Sequence, residues 1–127
     1  VVLLGESLGS GIAVQMATEF DVGAIVLEAP FSSAVDVAAS AYWFLPVRWL
    51  LKDRYDSISK IDRVRSPIFI LHGERDRIVP IRLGRRLFAA ANEPKEAMFM
   101  PEAGHNDLPV HGSIQFVIEF LGRRFPT

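Results

Sequence analysis

The chain contains no cysteine. That excludes disulfides, a thiolate nucleophile and a zinc–thiolate site. Charge of one sign is also missing: 14 Lys and Arg face 15 Asp and Glu, for a net −1. Nothing in that balance invites nucleic acid or an anionic membrane surface. The three histidines are scattered without metal-ligand spacing, so no metal is expected. Long apolar runs are absent too. The longest, Ala38 to Leu51, is interrupted by Ser40, Pro46 and Arg48 and is too short for a membrane span. No Gly-Lys-Ser/Thr closes a phosphate loop and no G-x-G-x-x-G marks a dinucleotide site. No signal peptide is visible. The chain opens inside an apolar run without an initiator Met, so an N-terminal portion is expected to precede it. Location is left open, cytoplasmic by default, and so is oligomeric state.

What is present is one domain's length, 127 residues, half of them hydrophobic, which suffices for a sizeable core. Val1-Val2-Leu3-Leu4 reads as a buried strand. Gly5-Glu6-Ser7-Leu8-Gly9 then fits G-x-S-x-G, the sharp turn that lifts a serine off a strand end into a helix. Gly5 and Gly9 are expected to leave room where a Cβ would collide with the crossing backbone. Ile12 to Glu19 is a fair helix former. Ser7 would thus sit at a helix N-terminus, where free N–H groups and the dipole favour negative charge.

Further apolar runs predict strands at Ala24–Leu27, Ile68–Leu71 and Ala97–Met100, and helices at about Ile81–Ala91 and Pro109–Arg124. The last helix carries Val110, Ile114, Val117, Ile118 and Leu121 at helical spacing. Strands apolar throughout, alternating with helices, imply an α/β fold: a parallel sheet of about four strands with helices on both faces. The second crossover is enlarged, with a cap-like insertion at about 31–62. A parallel sheet gathers its strand C-termini on one edge, where ligands bind.

Three of the four strand ends carry one member each of a nucleophile–acid–base set. Ser7 follows the first strand, Asp76 the third and His105 the fourth, 69 and 29 residues apart. A serine hydroxyl is a weak nucleophile until a base takes its proton. A neutral imidazole can do so, and a buried carboxylate fixes its tautomer and stabilises the imidazolium. Glu28 and Asp36, after the second strand, are alternative acids, and His72 an alternative base; for His72, packing beside the strand end or bonding backbone is the competing reading. His111 reads as surface, and Arg75 and Arg77 as solvated. Tyr42, Trp43, Phe44 and Trp49 either line an acyl pocket near Ser7 or pack on the sheet.

With those residues in place, the sequence resembles the C-terminal half of the α/β-hydrolase superfamily. The resemblance rests on Gly5-Glu6-Ser7-Leu8-Gly9, on Leu71-His72-Gly73-Glu74-Arg75-Asp76-Arg77-Ile78-Val79-Pro80 and on Ala103-Gly104-His105-Asn106. It covers essentially the whole chain and is closest to small serine esterases and peptidase- or depalmitoylase-like members. It implies a serine hydrolase acting on an ester, thioester or amide without a cofactor. Ser7 would be nucleophile, Asp76 acid, His105 base, and the Leu8 N–H one oxyanion donor. The family's second donor comes from a loop after an earlier strand, which this sequence lacks. Activity is therefore expected in the full-length protein, on a small-molecule, acyl or peptidyl substrate, and little or none in these 127 residues alone. A non-catalytic binding protein on the same fold is the rival expectation.

Overall fold

The computed structural model describes residues 1–30, 57–105 and 107–125. Four strands form one parallel sheet in the order β1-β2-β3-β4: Val2–Glu6, Ala24–Glu28, Ile68–Gly73 and Lys95–Met100. Helix α1 (Leu8–Glu19) follows β1, α2 (Ile81–Ala90) follows β3 and α3 (Ser113–Arg124) follows β4. The α/β architecture expected from the apolar runs is present. Residues 31–56, and with them Asp36 and the aromatic set Tyr42, Trp43, Phe44 and Trp49, lie outside the described residues.

Period-2 alternation explains why the strands read as apolar throughout. Ile25, Leu27, Ile68 and Ile70 point to one face, where Val14 of α1 and Leu87 of α2 join them. Ala24, Val26, Phe69 and Leu71 point to the other, where Phe120 of α3, Met100 and Leu108 cover them. Both faces are therefore dry along β2 and β3, as a parallel sheet requires, whereas Val1, Val2 and Leu4 at the β1 edge, expected to be buried, are exposed and β4 is mostly half-buried. Phe69 and Phe120 stack with centroids 4.9 Å apart. Ile61, at the start of a 3-10 turn (Ile61–Arg63), is fully buried in the first of these cores, so the end of the expected insertion packs with the sheet.

The last helix departs from expectation. It is two pieces: a 3-10 turn, Leu108–His111, and α3, separated by Gly112 at φ 91°. The break resets the helical phase. Ser113 and Phe120 are buried, while Val110, Ile114 and Ile118 are exposed. The expected spacing holds in part: Val117 and Leu121 pack half-buried against the second core, while the fully buried positions are Ser113 and Phe120.

Candidate active site

The turn after β1 is tight. A Cβ at Gly5 would stand 2.7 Å from the Gly9 carbonyl oxygen and 2.8 Å from Cβ of Ala13, so the helix can cross the strand end only above a glycine. Gly9 is different from expectation: a Cβ there would meet nothing within 4 Å among the described residues. Ser7 takes the strained conformation itself, at φ 53°, ψ −116°, as the residue preceding α1. For a side chain with a Cβ this region is sparsely populated, and it persists only where the surroundings impose it. They do so here by backbone bonds. The Ser7 N–H donates to the Glu28 carbonyl (2.9 Å), and the Ser7 carbonyl accepts from both the N–H (2.9 Å) and the hydroxyl (2.6 Å) of buried Ser10. Leu8 opens α1, so its N–H belongs to the first-turn donors that a helix leaves without an internal partner.

At the other end of the edge, the loop after β4 turns back over the end of β3. The Glu74 N–H donates to the Met100 carbonyl and the Arg75 N–H to the Ala103 carbonyl, each at 2.9 Å. Gly73 makes this possible, because a Cβ there would lie 2.1 Å from the Ala103 oxygen. The return matters for distance. At about 4.8 Å per strand, the ends of β1 and β4 stand roughly 14 Å apart. A loop running straight off β4 would carry His105 away from Ser7.

Asp76 is held from every side. Its Oδ1 accepts the N–H of Ile78 (2.8 Å) and of Val79 (2.7 Å). Its Oδ2 accepts the Nδ1–H of His105 at 2.8 Å. The Asp76 side chain has no solvent exposure and His105 only 13%. Burial by itself would push the carboxyl up. The donors outweigh it: His72, the Val79 N–H, His105 and the Ile78 N–H bring Asp76 down to about 2. Since the carboxylate can only accept, the neutral His105 ring carries its proton on Nδ1 and presents Nε2 as the acceptor. The His105 loop is tied down in turn by Asp107, whose Oδ1 accepts the Gly104 N–H, and Asp107 meets His111 at 3.3 Å.

The structure thus joins Asp76 to His105 and puts Ser7 on the same edge of the sheet. No hydrogen bond links Ser7 to His105 among the described residues. Glu28, the alternative acid, contributes its carbonyl to Ser7, and its side chain faces Glu6 across the register. Burial, and then the like charge of Glu6, push Glu28 above the ordinary carboxylate range. His72 is fully buried and bonds the Val79 carbonyl at 2.8 Å, matching the non-catalytic expectation for it. Arg75 pairs with Glu102 at 3.1 Å on the exposed surface, away from Asp76. The ties made by His72 and Asp107 were not visible in the sequence. Each depends on how a loop folds back on itself, and the only signal is a polar residue within four positions of a predicted site residue.

Comparisons with known proteins agree with this fold. No protein-family model matches the chain. An uncharacterised protein of Mycobacterium tuberculosis is 45% identical over 107 residues, covering 84% of this chain and 38% of that protein. Alpha/beta hydrolase domain-containing protein 17B of Xenopus laevis is 30% identical over 130 residues, covering 95% of this chain and 42% of that one. The chain therefore spans about two fifths of the length of the curated relatives it matches. Among solved structures, a puromycin-hydrolyzing peptidase of Mycobacterium tuberculosis superposes with a TM-score of 0.80 at 20% identity, over 98% of this chain and 22% of that chain. The esterase domain of a Rhodothermus marinus protein superposes with a TM-score of 0.74 at 21% identity, over 97% of this chain and 59% of that chain. No helix of the described residues is long and apolar enough to cross a membrane. In sequence relatives and in fold, the chain belongs with the α/β hydrolases, of whose sheet it carries four parallel strands.

Proposed function

We propose that the full-length protein is a serine hydrolase acting by acyl transfer, with Ser7 as nucleophile, His105 as base and Asp76 as the acid that orients it. The observation that carries this reading is the 2.8 Å bond from His105 to a fully buried, multiply bonded Asp76 on the sheet edge where Ser7 opens α1. His105 Nε2 takes the Ser7 proton as Oγ attacks the substrate carbonyl carbon. The carbonyl oxygen becomes an oxyanion, held in part by the Leu8 N–H. Collapse breaks the bond to the leaving group, which departs with the proton from Nε2. Water then gives its proton to Nε2, attacks the acyl-enzyme and releases the acid and Ser7. The absence of a Ser7–His105 bond fits a site without substrate, since such bonds often tighten only in the complex. The substrate is an ester, thioester or amide. A relative that is an esterase domain and another that hydrolyses puromycin as a peptidase sit equally on this fold, so the leaving group stays within that class. The second oxyanion donor is expected from the part of the relatives that this chain does not span. Loss of one such donor lowers rates by about 10²–10³, so the 127 residues alone should be weak or inactive.

A fluorophosphonate probe tests the reading on the full-length protein. Labelling of the wild type that disappears in Ser7→Ala supports it. A wild type that is not labelled, and does not hydrolyse p-nitrophenyl esters, leaves a non-catalytic binding protein instead.

A further inference from the structure

The buried imidazole of His72 has no role in the mechanism above, yet it closes a ring with the acid. Its Nε2 lies 2.8 Å from the Val79 carbonyl and 3.4 Å from Asp76 Oδ2. A carbonyl oxygen can only accept, so Nε2 bears the hydrogen and donates it to Val79, with the carboxylate close beside it. Val79 in turn donates its N–H to Asp76 Oδ1 at 2.7 Å. Asp76, Val79 and His72 thus brace one another across the eight residues 72–79. Nδ1, the remaining nitrogen of the ring, is buried without a hydrogen-bond partner among the described residues. It faces Gly84 of α2, where a Cβ would lie 2.2 Å from it. A fully buried polar atom left unsatisfied asks for an explanation. A leucine or phenylalanine would fill the volume without one. The ring orientation that strands Nδ1 is the one that donates the Nε2 hydrogen to Val79 and sets Nε2 beside the acid, and a glycine on α2 clears space for it.

We propose that His72 is a positioning residue for the triad: its Nε2–H, anchored by Val79, fixes the Asp76 carboxylate so that Oδ2 is aimed at His105. The proposal rests on the reading of Ser7, Asp76 and His105 as the catalytic set. Two backbone donors on Oδ1, the His105 donor on Oδ2 and the His72 Nε2 contact at 3.4 Å from Oδ2 then hold the carboxylate together. Removing one of them frees the carboxylate to rotate while leaving every reacting atom in place.

The test is steady-state hydrolysis of a p-nitrophenyl ester by the full-length protein, with each variant shown to be folded by its near-UV circular dichroism. His72→Leu should lower kcat about tenfold, through loss of the polar contact beside the charged carboxylate and of the anchor on Val79, with KM within about twofold. His72→Gln restores an N–H near the position of Nε2 and should recover most of that loss. In an Asp76→Asn background, His72→Leu should lower kcat no further, because the carboxylate it serves is gone. A folded His72→Leu with wild-type kcat, or one whose loss is the same size in the Asp76→Asn background, overturns the proposal. Should His72→Leu not fold, Gly84→Ala decides: the added Cβ displaces the ring without touching the triad. It should lower kcat at constant KM in the wild type and not in Asp76→Asn, and a wild-type kcat there overturns the proposal equally. Failure of the triad reading itself would look different, since Asp76→Asn alone would then keep its rate.

Discussion

At the ends of β3 and β4, Asp76 accepts two backbone N–H groups and the His105 Nδ1–H, with His72 beside it, and none of its side chain reaches solvent. At the end of β1, the Ser7 hydroxyl has no hydrogen bond among the described residues, and what is fixed is the backbone, at φ 53° between a bond to Glu28 and two from Ser10. One region holds a side chain by hydrogen bonds, and the other holds it by a strained main chain over a glycine. An acid must keep its charge and direction through the whole cycle, which needs many donors. A nucleophile must give up its proton and form a bond, which any strong partner would impede. The largest test of this contrast is Asp76→Asn. The amide turns a donor toward Nδ1–H of His105 and favours the wrong tautomer, so kcat in the full-length protein should fall about 10³–10⁴-fold at nearly constant KM. The same network predicts an acid limb in stability. Asp76 is brought from 3.8 down to about 2, so its contribution is present above the unfolded value and lost as pH falls through the folded one. It is worth on the order of 2 kcal/mol. Urea unfolding of wild type and Asp76→Asn should therefore show a gap of about that size at pH 6 that narrows between pH 4 and 2. A gap independent of pH would mean that the carboxylate's charge is not what the donors hold.

The β1 turn breaks in a different way. Gly5→Ala forces a Cβ to within 2.8 Å of both the Gly9 oxygen and Ala13. It should destabilise by about 1–3 kcal/mol, as overpacking does, and its loss of activity should follow from a displaced α1. Gly9→Ala meets nothing among the described residues and lies inside α1, so it should be neutral or stabilising by up to about 1 kcal/mol. Equal unfolding midpoints for the two variants would refute the assignment of the close approach to Gly5 alone.

Much of this was legible in the sequence, for identifiable reasons. The apolar runs of β2 and β3 marked strands because those strands are buried on both sheet faces, so neither face needed polar residues. Ser7, Asp76 and His105 lie along one edge because each follows the C-terminal end of a strand, and a parallel sheet brings all such positions together. What could not be read depends on phase and loop return. Helix α3 has apolar residues around most of its circumference, so spacing alone could not say that Phe120 goes in while Ile114 and Ile118 stay out. Gly112, at φ 91°, separates the 3-10 turn from α3, a break that spacing alone did not show. The return of the β4 loop over Gly73 is a contact between residues some thirty positions apart, and the link from His72 to Asp76 exists only once the intervening turn has closed.

Ser7→Gly and Ser7→Ala separate the strain from the chemistry. Both remove the proposed nucleophile and should abolish hydrolysis. Only glycine relaxes the positive φ, since alanine keeps the Cβ that the left-handed region disfavours. Ser7→Gly should therefore be about 1 kcal/mol more stable than Ser7→Ala by urea unfolding. If the two are equally stable, the turn is not strained at this residue and the comparison drawn above loses its second half.

The smallest effect concerns the carboxylates beside the nucleophile. Glu6 and Glu28 are directly opposite in the β1–β2 register, with Glu6 exposed and Glu28 half-buried. Burial is the larger cause of the rise in Glu28 and the Glu6 charge the smaller. A raised carboxyl gives stability that is fully present below its unfolded value and lost as pH rises through the folded value. Glu6→Gln removes only the smaller cause, and one of its partners is in water, so the gain at pH 7 should be a few tenths of a kcal/mol. It should vanish below the unfolded carboxyl range and shrink with added salt. A gain that persists at low pH would point to the glutamine side chain itself rather than to relief of Glu28. The two carboxylates would then be independent, and the negative charge at the end of β2 would be set by burial alone.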